Sequence, residues 1–107
     1  MNNNNNLISK AKTFYQNKNF FEAKELLLKA LEDKHIDKTI KSNLYILLAD
    51  ICYKINDFKE TEHYLIKSLE NGKSSAEIFN LLGNVYLKLR NYKNSEKYYL
   101  NALKLEE

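Results

Sequence analysis

Residues 79–104 read FNLLGNVYLKLRNYKNSEKYYLNALK, and the spacing inside this stretch decides the fold. Leu82, Gly83 and Tyr86 follow Phe79 by three, four and seven residues, the interval that gathers side chains on one face of an α-helix. Tyr99, Ala102 and Leu103 follow Ser95 by four, seven and eight, so a second helix has the same habit. Small residues at Gly83, Ser95 and Ala102 sit among bulky ones, which predicts two helices that approach closely at the small positions.

The same order occurs twice upstream. Tyr45-x2-Leu48-Ala49-x2-Cys52 is followed by Thr61-x3-Leu65 and Ser68-Leu69, and Leu7-x2-Lys10-Ala11-x2-Phe14 by Ala23-x3-Leu27 and Ala30-Leu31. Each row resembles the tetratricopeptide repeat: a bulky residue, Leu, a small residue and an aromatic, then small and aromatic positions on a second helix. Gly83 follows Ala49 by 34 residues, the period of that family, whereas Ala49 follows Ala11 by 38. The four extra residues, Lys38 to Lys41, amount to about one helical turn. They place Ile40 in register with Leu44, Leu47, Leu48 and Ile51, so the first helix of the middle repeat is expected to start a turn early. The chain departs from the family in lacking the proline after each second helix. It also carries Leu7, Tyr45 or Phe79 in place of tryptophan, and Lys10 where the first row wants leucine.

The resemblance implies an all-α, right-handed α-solenoid of three antiparallel helix-turn-helix repeats, six helices in all. The repeats are expected at about 4–37, 42–75 and 76–107, with a one-turn insertion at 38–41 and a single domain over 6–107. Residues 1–5 form an Asn-rich tail, read as disordered. Periodicity and capping signals predict helices at 6–17, 20–34, 38–55, 58–71, 75–90 and 92–105. Capping boxes are expected at Asn19/Glu22, Asp57/Glu60 and Ser74/Glu77, and Gly72 is expected to terminate the fourth helix.

The 107 residues include no proline, two glycines and one cysteine, with 44% hydrophobic and 29% charged, as befits one globular domain of long helices. Cys52 has no partner for an internal disulfide, and no apolar run approaches the roughly 20 residues of a membrane helix. These features predict a cytoplasmic, reducing location and no membrane insertion. Net charge is +3, and its 17 basic residues include a single arginine, scattered rather than clustered, which argues against nucleic-acid binding. The chain has no phosphate loop, nucleophile elbow or metal motif. His35 and His63 read as surface residues, Cys52 as core, and Glu60 and Glu62 stand two apart on a helix and do not converge. No enzyme activity, cofactor or metal is expected.

The resemblance places the first helix of each repeat along a concave groove that takes a protein or peptide segment. By spacing, the groove-facing residues are Ile8, Lys12 and Tyr15; Asn43, Ile46, Leu47, Asp50, Tyr53 and Lys54; and Glu77, Asn80, Leu81, Asn84, Leu87 and Lys88. Leu47 and Leu81 read equally well as packing residues. The carboxylate clamp with which some family members hold chaperone tails is absent, since its places hold Ile8, Lys12, Leu47, Glu77 and Leu81. The groove is expected to serve an adaptor or scaffold whose partner has apolar anchors and mild acidic character, met by Lys12, Lys54 and Lys88. The alternative is self-assembly, as a homodimer for instance, through an uncapped face of the last helix formed by Tyr98, Tyr99, Leu100 and Leu103.

Overall fold

The computed structural model describes residues 3–72 and 75–106. It contains α1 (Asn3–Gln16), α2 (Phe20–Ala30), α3 (Lys38–Lys54), α4 (Phe58–Asn71), α5 (Ala76–Lys88) and α6 (Tyr92–Glu106), with no strand among the described residues. Consecutive pairs form three hairpins, and α2 packs on α3 and α4 on α5 to join them into a solenoid of 44 × 26 × 20 Å.

The hairpin turns show the repeat without reference to side-chain size. Lys18, Asn56 and Arg90 occupy equivalent positions and all have left-handed backbone, with φ of 64°, 66° and 62°. The next amide in each turn reaches back to Phe14, Cys52 or Tyr86 carbonyl at 2.8 Å, which closes three matching helix ends. Asparagine tolerates this conformation; lysine and arginine hold it at a cost of roughly 1 kcal/mol or more relative to glycine.

Helix α3 has 17 residues against 13 in α5 and begins at Lys38, which confirms the early start. Ile40, however, is 43% exposed. Ser42 already sits beside Gly72 at the end of α4, so the turn carrying Ile40 projects past its partner helix. Helix α2 ends at Ala30, four residues short of the expected 34. The chain turns there instead, with the Asp33 carboxylate accepting from the His35 amide at 3.0 Å and Ile36 packing on the core. At the other end, α1 begins at Asn3, so residues 3–5, expected as tail, belong to the helix. Once Leu7 and Ile8 are anchored on the core, adding a further turn is cheaper than nucleating one.

Capping differs in detail as well. Asp57 accepts from the Glu60 amide at 3.2 Å as expected, but Asn19 makes no side-chain cap, and the cap of α5 is Ser75, which accepts from Ile78 at 3.1 Å. Ser74 lies outside the described residues. Asp37 and Asn91 cap α3 and α6, two signals the sequence reading passed over. Gly72 does end α4, but with extended rather than left-handed backbone. Its role is close approach, because a Cβ there would lie 2.6 Å from the Ser42 hydroxyl.

The core is the register drawn from the sequence. Ala11, Ala23, Ala49, Thr61, Gly83 and Ser95 are buried at the hairpin crossings, and Leu27, Leu48, Ile51, Leu65, Ile78, Leu82 and Val85 fill the space around them. Burying each of these larger side chains contributes about 1.5–3 kcal/mol. Gly83 is required where it stands: a Cβ would meet the Tyr99 ring at 2.6 Å. The buried hydroxyls have partners, Ser95 donating to the Gly83 carbonyl at 2.8 Å and Ser42 lying 2.7 Å from Ser68 Oγ.

Candidate functional site

Groove residues recur at equivalent positions of the first helix in each repeat. Lys12, Asp50 and Asn84 are equivalent, as are Tyr15, Tyr53 and Leu87, each set one turn along the first helix of its hairpin. The solenoid brings several of them together. A depression of about 410 Å³ is lined by Lys12, Asn43, Ile46, Leu47, Asp50, Glu77 and Leu81, drawn from all three repeats. It shares Asn43, Ile46 and Glu77 with a neighbouring space of about 360 Å³ that reaches Ser42 and Gly72. It shares Asp50 and Leu81 with another of about 190 Å³ that includes Tyr53, Lys54 and Asn84. The three make one groove along α1, α3 and α5.

Leu47 and Leu81 prove half-buried, packed on the core below and exposed to the groove above, so both readings of them hold in part. Asn80, Leu87 and Lys88 line none of these spaces and are exposed. Leu87 is 50% exposed, with no described helix facing it as α3 faces Tyr15.

The electrostatics centre on Asp50. The Tyr15 hydroxyl donates to its carboxylate across the repeat boundary. Lys54, one turn on, pairs with the same carboxylate at 3.4 Å, and its ammonium lies 5.6 Å from the centre of the Tyr15 ring. The hydrogen bond to Asp50 raises the Tyr15 phenol above its ordinary value, and hydrogen bonding with Tyr15 raises Lys54, so the phenol stays neutral and the amine charged at neutral pH. The Lys54 charge is therefore engaged within the groove. Lys12 keeps its charge exposed with no described partner, facing Glu77 and Asp50 across the depression. Asn84 is also engaged, accepting from the Tyr99 hydroxyl. Asn43 is exposed, with its amide free of described protein partners.

The expected self-association face divides. Tyr98 is half-buried, its ring 5.5 Å from Tyr86 and 5.8 Å from Phe79, and Tyr99 packs on Gly83. Both rings point inward because they share the α6 face that carries Ser95 and Ala102. Leu100 and Leu103 remain 51% and 57% exposed.

Cys52 is buried and donates to Glu60 at 3.7 Å; burial pushes its thiol from 9.0 up to about 12, which leaves it unreactive at neutral pH. His35 and His63 are exposed, the latter packed edge-on against Tyr64. Glu60 and Glu62 do not act together: Glu60 binds Lys24 of α2, and Glu62 accepts from Tyr86 at 2.6 Å. These two contacts link neighbouring hairpins, which sequence spacing alone did not reveal. Among the described residues no group of three or more His, Cys, Asp or Glu gathers to hold a metal ion. No helix among them is long and apolar enough to cross a membrane.

Residues 76–107, the α5–α6 hairpin, match the family described as Tetratricopeptide repeat. The last hairpin is similar to that repeat. The two preceding hairpins share its helix-turn-helix architecture. The fold of 92% of this chain is shared with YrrB, described as a TPR protein with an unusual peptide-binding site, at a TM-score of 0.79 and 24% identity, over 49% of that chain. PilF of Pseudomonas aeruginosa matches 92% of this chain with a TM-score of 0.80 and 20% identity, over 43% of its own length. The chain thus spans about half or less of these solved structures. No curated protein matches the sequence. A fold of stacked tetratricopeptide hairpins is in general a protein–protein interaction module.

Proposed function

We propose that this chain binds an extended or helical segment of a partner protein along the groove of α1, α3 and α5, as an adaptor or scaffold. The observation that carries this reading is the depression lined from all three repeats, with an apolar floor of Ile46, Leu47 and Leu81 and a polar rim. Asn43 offers both a donor and an acceptor to a peptide backbone, whatever the side chains of the ligand. Apolar anchors of the partner meet Ile46 and Leu81, and Tyr53 supplies rigid contact area at the C-terminal end of the groove. Acidic preference is local: Lys12 attracts a carboxylate at one end, while Lys54 is already held by Asp50. The partner is a polypeptide rather than a nucleic acid, a reading supported by Lys24, Lys54 and Lys67 each pairing with a carboxylate instead of forming a basic tract. The groove contains no constellation for chemistry, and we read the chain as a non-enzyme.

Peptide-display selection on the parent chain, followed by calorimetry on Asn43→Ala/Leu81→Glu, tests the reading. Selected peptides should lose at least about tenfold in affinity for the variant, while its helicity is retained. Equal affinity for both chains would remove the groove from consideration.

A further inference from the structure

The C-terminal end of the solenoid has its own surface, distinct from the groove. Leu87, Tyr92 and Leu103 are equivalent to Tyr15, Phe20 and Leu31 in the first hairpin and to Tyr53, Phe58 and Leu69 in the second. Those six are half-buried against the core, whereas the last three are 50%, 62% and 57% exposed. The third hairpin therefore keeps the apolar character of an inter-repeat surface, with no described hairpin on it.

The N-terminal face of another copy does not fit there. Its corresponding places hold Asn6, Ser9, Lys10 and Thr13, all exposed, where the second and third hairpins have buried or half-buried Leu, Ile or Val. Head-to-tail stacking would bury the Lys10 ammonium among leucines without a partner, which is strongly unfavourable. A self-complementary contact between two C-terminal faces avoids this, and such contacts close into dimers.

The charges on α6 define the geometry. Tyr92, Glu96, Leu100, Leu103 and Lys104 lie within about 120° of one another around the helix, and all five are exposed. Glu96 stands four residues before Leu100 and Lys104 four after it, and neither has a described partner. We propose that two copies of this chain pair through this face, their α6 helices antiparallel about Leu100. Glu96 of each copy then lies against Lys104 of the other. The two-fold axis makes both ion pairs at once and brings Leu100 against Leu100 and Leu103 beside them.

One helix face is a small interface, so dissociation is expected in the range of roughly 10 μM to 1 mM. Equilibrium sedimentation across that range should show a mass rising from 12.7 kDa toward twice that value and stopping there. Glu96→Lys and Lys104→Glu, each alone, set like charges opposite one another twice and should weaken pairing at least about tenfold. An equimolar mixture of the two variants restores both opposite-charge contacts and should dimerise about as well as the parent. Far-UV circular dichroism serves as the folding control, since both positions are exposed. A monomer throughout assigns the face to another occupant and overturns the proposal. A mass that keeps growing past the dimer, or a mixture no tighter than either variant, overturns it equally. The readout does not involve the groove, so groove binding and pairing stand or fall separately.

Discussion

At the N-terminal end of the solenoid, Asn6, Ser9, Lys10 and Thr13 occupy the places that Leu44, Leu47, Leu48 and Ile51 hold in the middle hairpin. At the C-terminal end, Leu87, Tyr92, Leu100 and Leu103 stay as apolar as their counterparts inside the stack and are exposed. A repeat protein is stable as a sum of hairpins and the interfaces between them, and its outer faces must meet water. Among the described residues the N-terminal face is polar and the C-terminal face apolar. Lys10, which looked like a departure from the family pattern, is the residue that gives the first face its charge. Divergence within a repeat array is thus informative about position in the stack, and the face left apolar is the one to examine for a partner.

The largest effect should come from moving the polar end into the interior. Leu82→Lys places at a fully buried position the residue that position 10 carries at the surface, and should cost at least about 3–5 kcal/mol. The converse, Lys10→Leu, should change stability by no more than about 0.5 kcal/mol and make the N-terminal face adhesive. Urea unfolding of the two variants compares them; equal costs would mean that the ends do not differ.

The contact between the second and third hairpins is the next test. Tyr86→Phe keeps the ring and removes the hydroxyl held by Glu62, which should cost about 1–2 kcal/mol, whereas Tyr98→Phe removes a hydroxyl with no described partner and should cost little. Gly83→Ala should cost about 1–3 kcal/mol because the Tyr99 ring occupies the space, although alanine is the native residue at the equivalent Ala49. Leu65 stands there in place of Tyr99.

Alkaline pH probes the same interior. Burial raises the Cys52 thiol from 9.0 to about 12, and burial with the Glu62 hydrogen bond raises Tyr86 well above 10.0. The folded state then holds protons that the unfolded chain releases, so stability is full below about pH 9 and falls as pH rises toward 12. Cys52→Val should flatten that decline in melting temperature, and an unchanged slope would place the titrating group elsewhere. The smallest effect is a gain. Arg90→Gly or Lys18→Gly relieves left-handed backbone and should add about 1 kcal/mol, seen as a modest rise in urea midpoint.

The hairpin register was legible because small residues at 11, 49 and 83 and at 23, 61 and 95 must meet for the helices to approach, and nothing else in the chain competes with that pattern. The extra turn of α3 followed from the difference between 38 and 34. What escaped was set by neighbours rather than by local sequence. No residue from 31 to 34 breaks a helix, yet α2 stops at Ala30. Lys18 and Arg90 give no hint of left-handed backbone, although Asn56 at the same position does. In the groove, the Asp50–Lys54 pair was readable from its four-residue spacing, but the Tyr15 hydroxyl that joins it comes from another hairpin, 35 residues away. Tyr98 and Tyr99 belong to the crowded apolar run of the last helix, only part of which faces outward. Their spacing from Ser95 and Ala102 already set them inward, and that signal was available.

The most direct test of the central claim is to follow backbone amide shifts by NMR while titrating a peptide selected on the chain. Groove binding requires that shifts concentrate at Lys12, Asn43, Ile46, Asp50, Glu77 and Leu81 in α1, α3 and α5. Shifts confined to Tyr92, Leu100 and Leu103 on α6, with the groove unmoved, would contradict it.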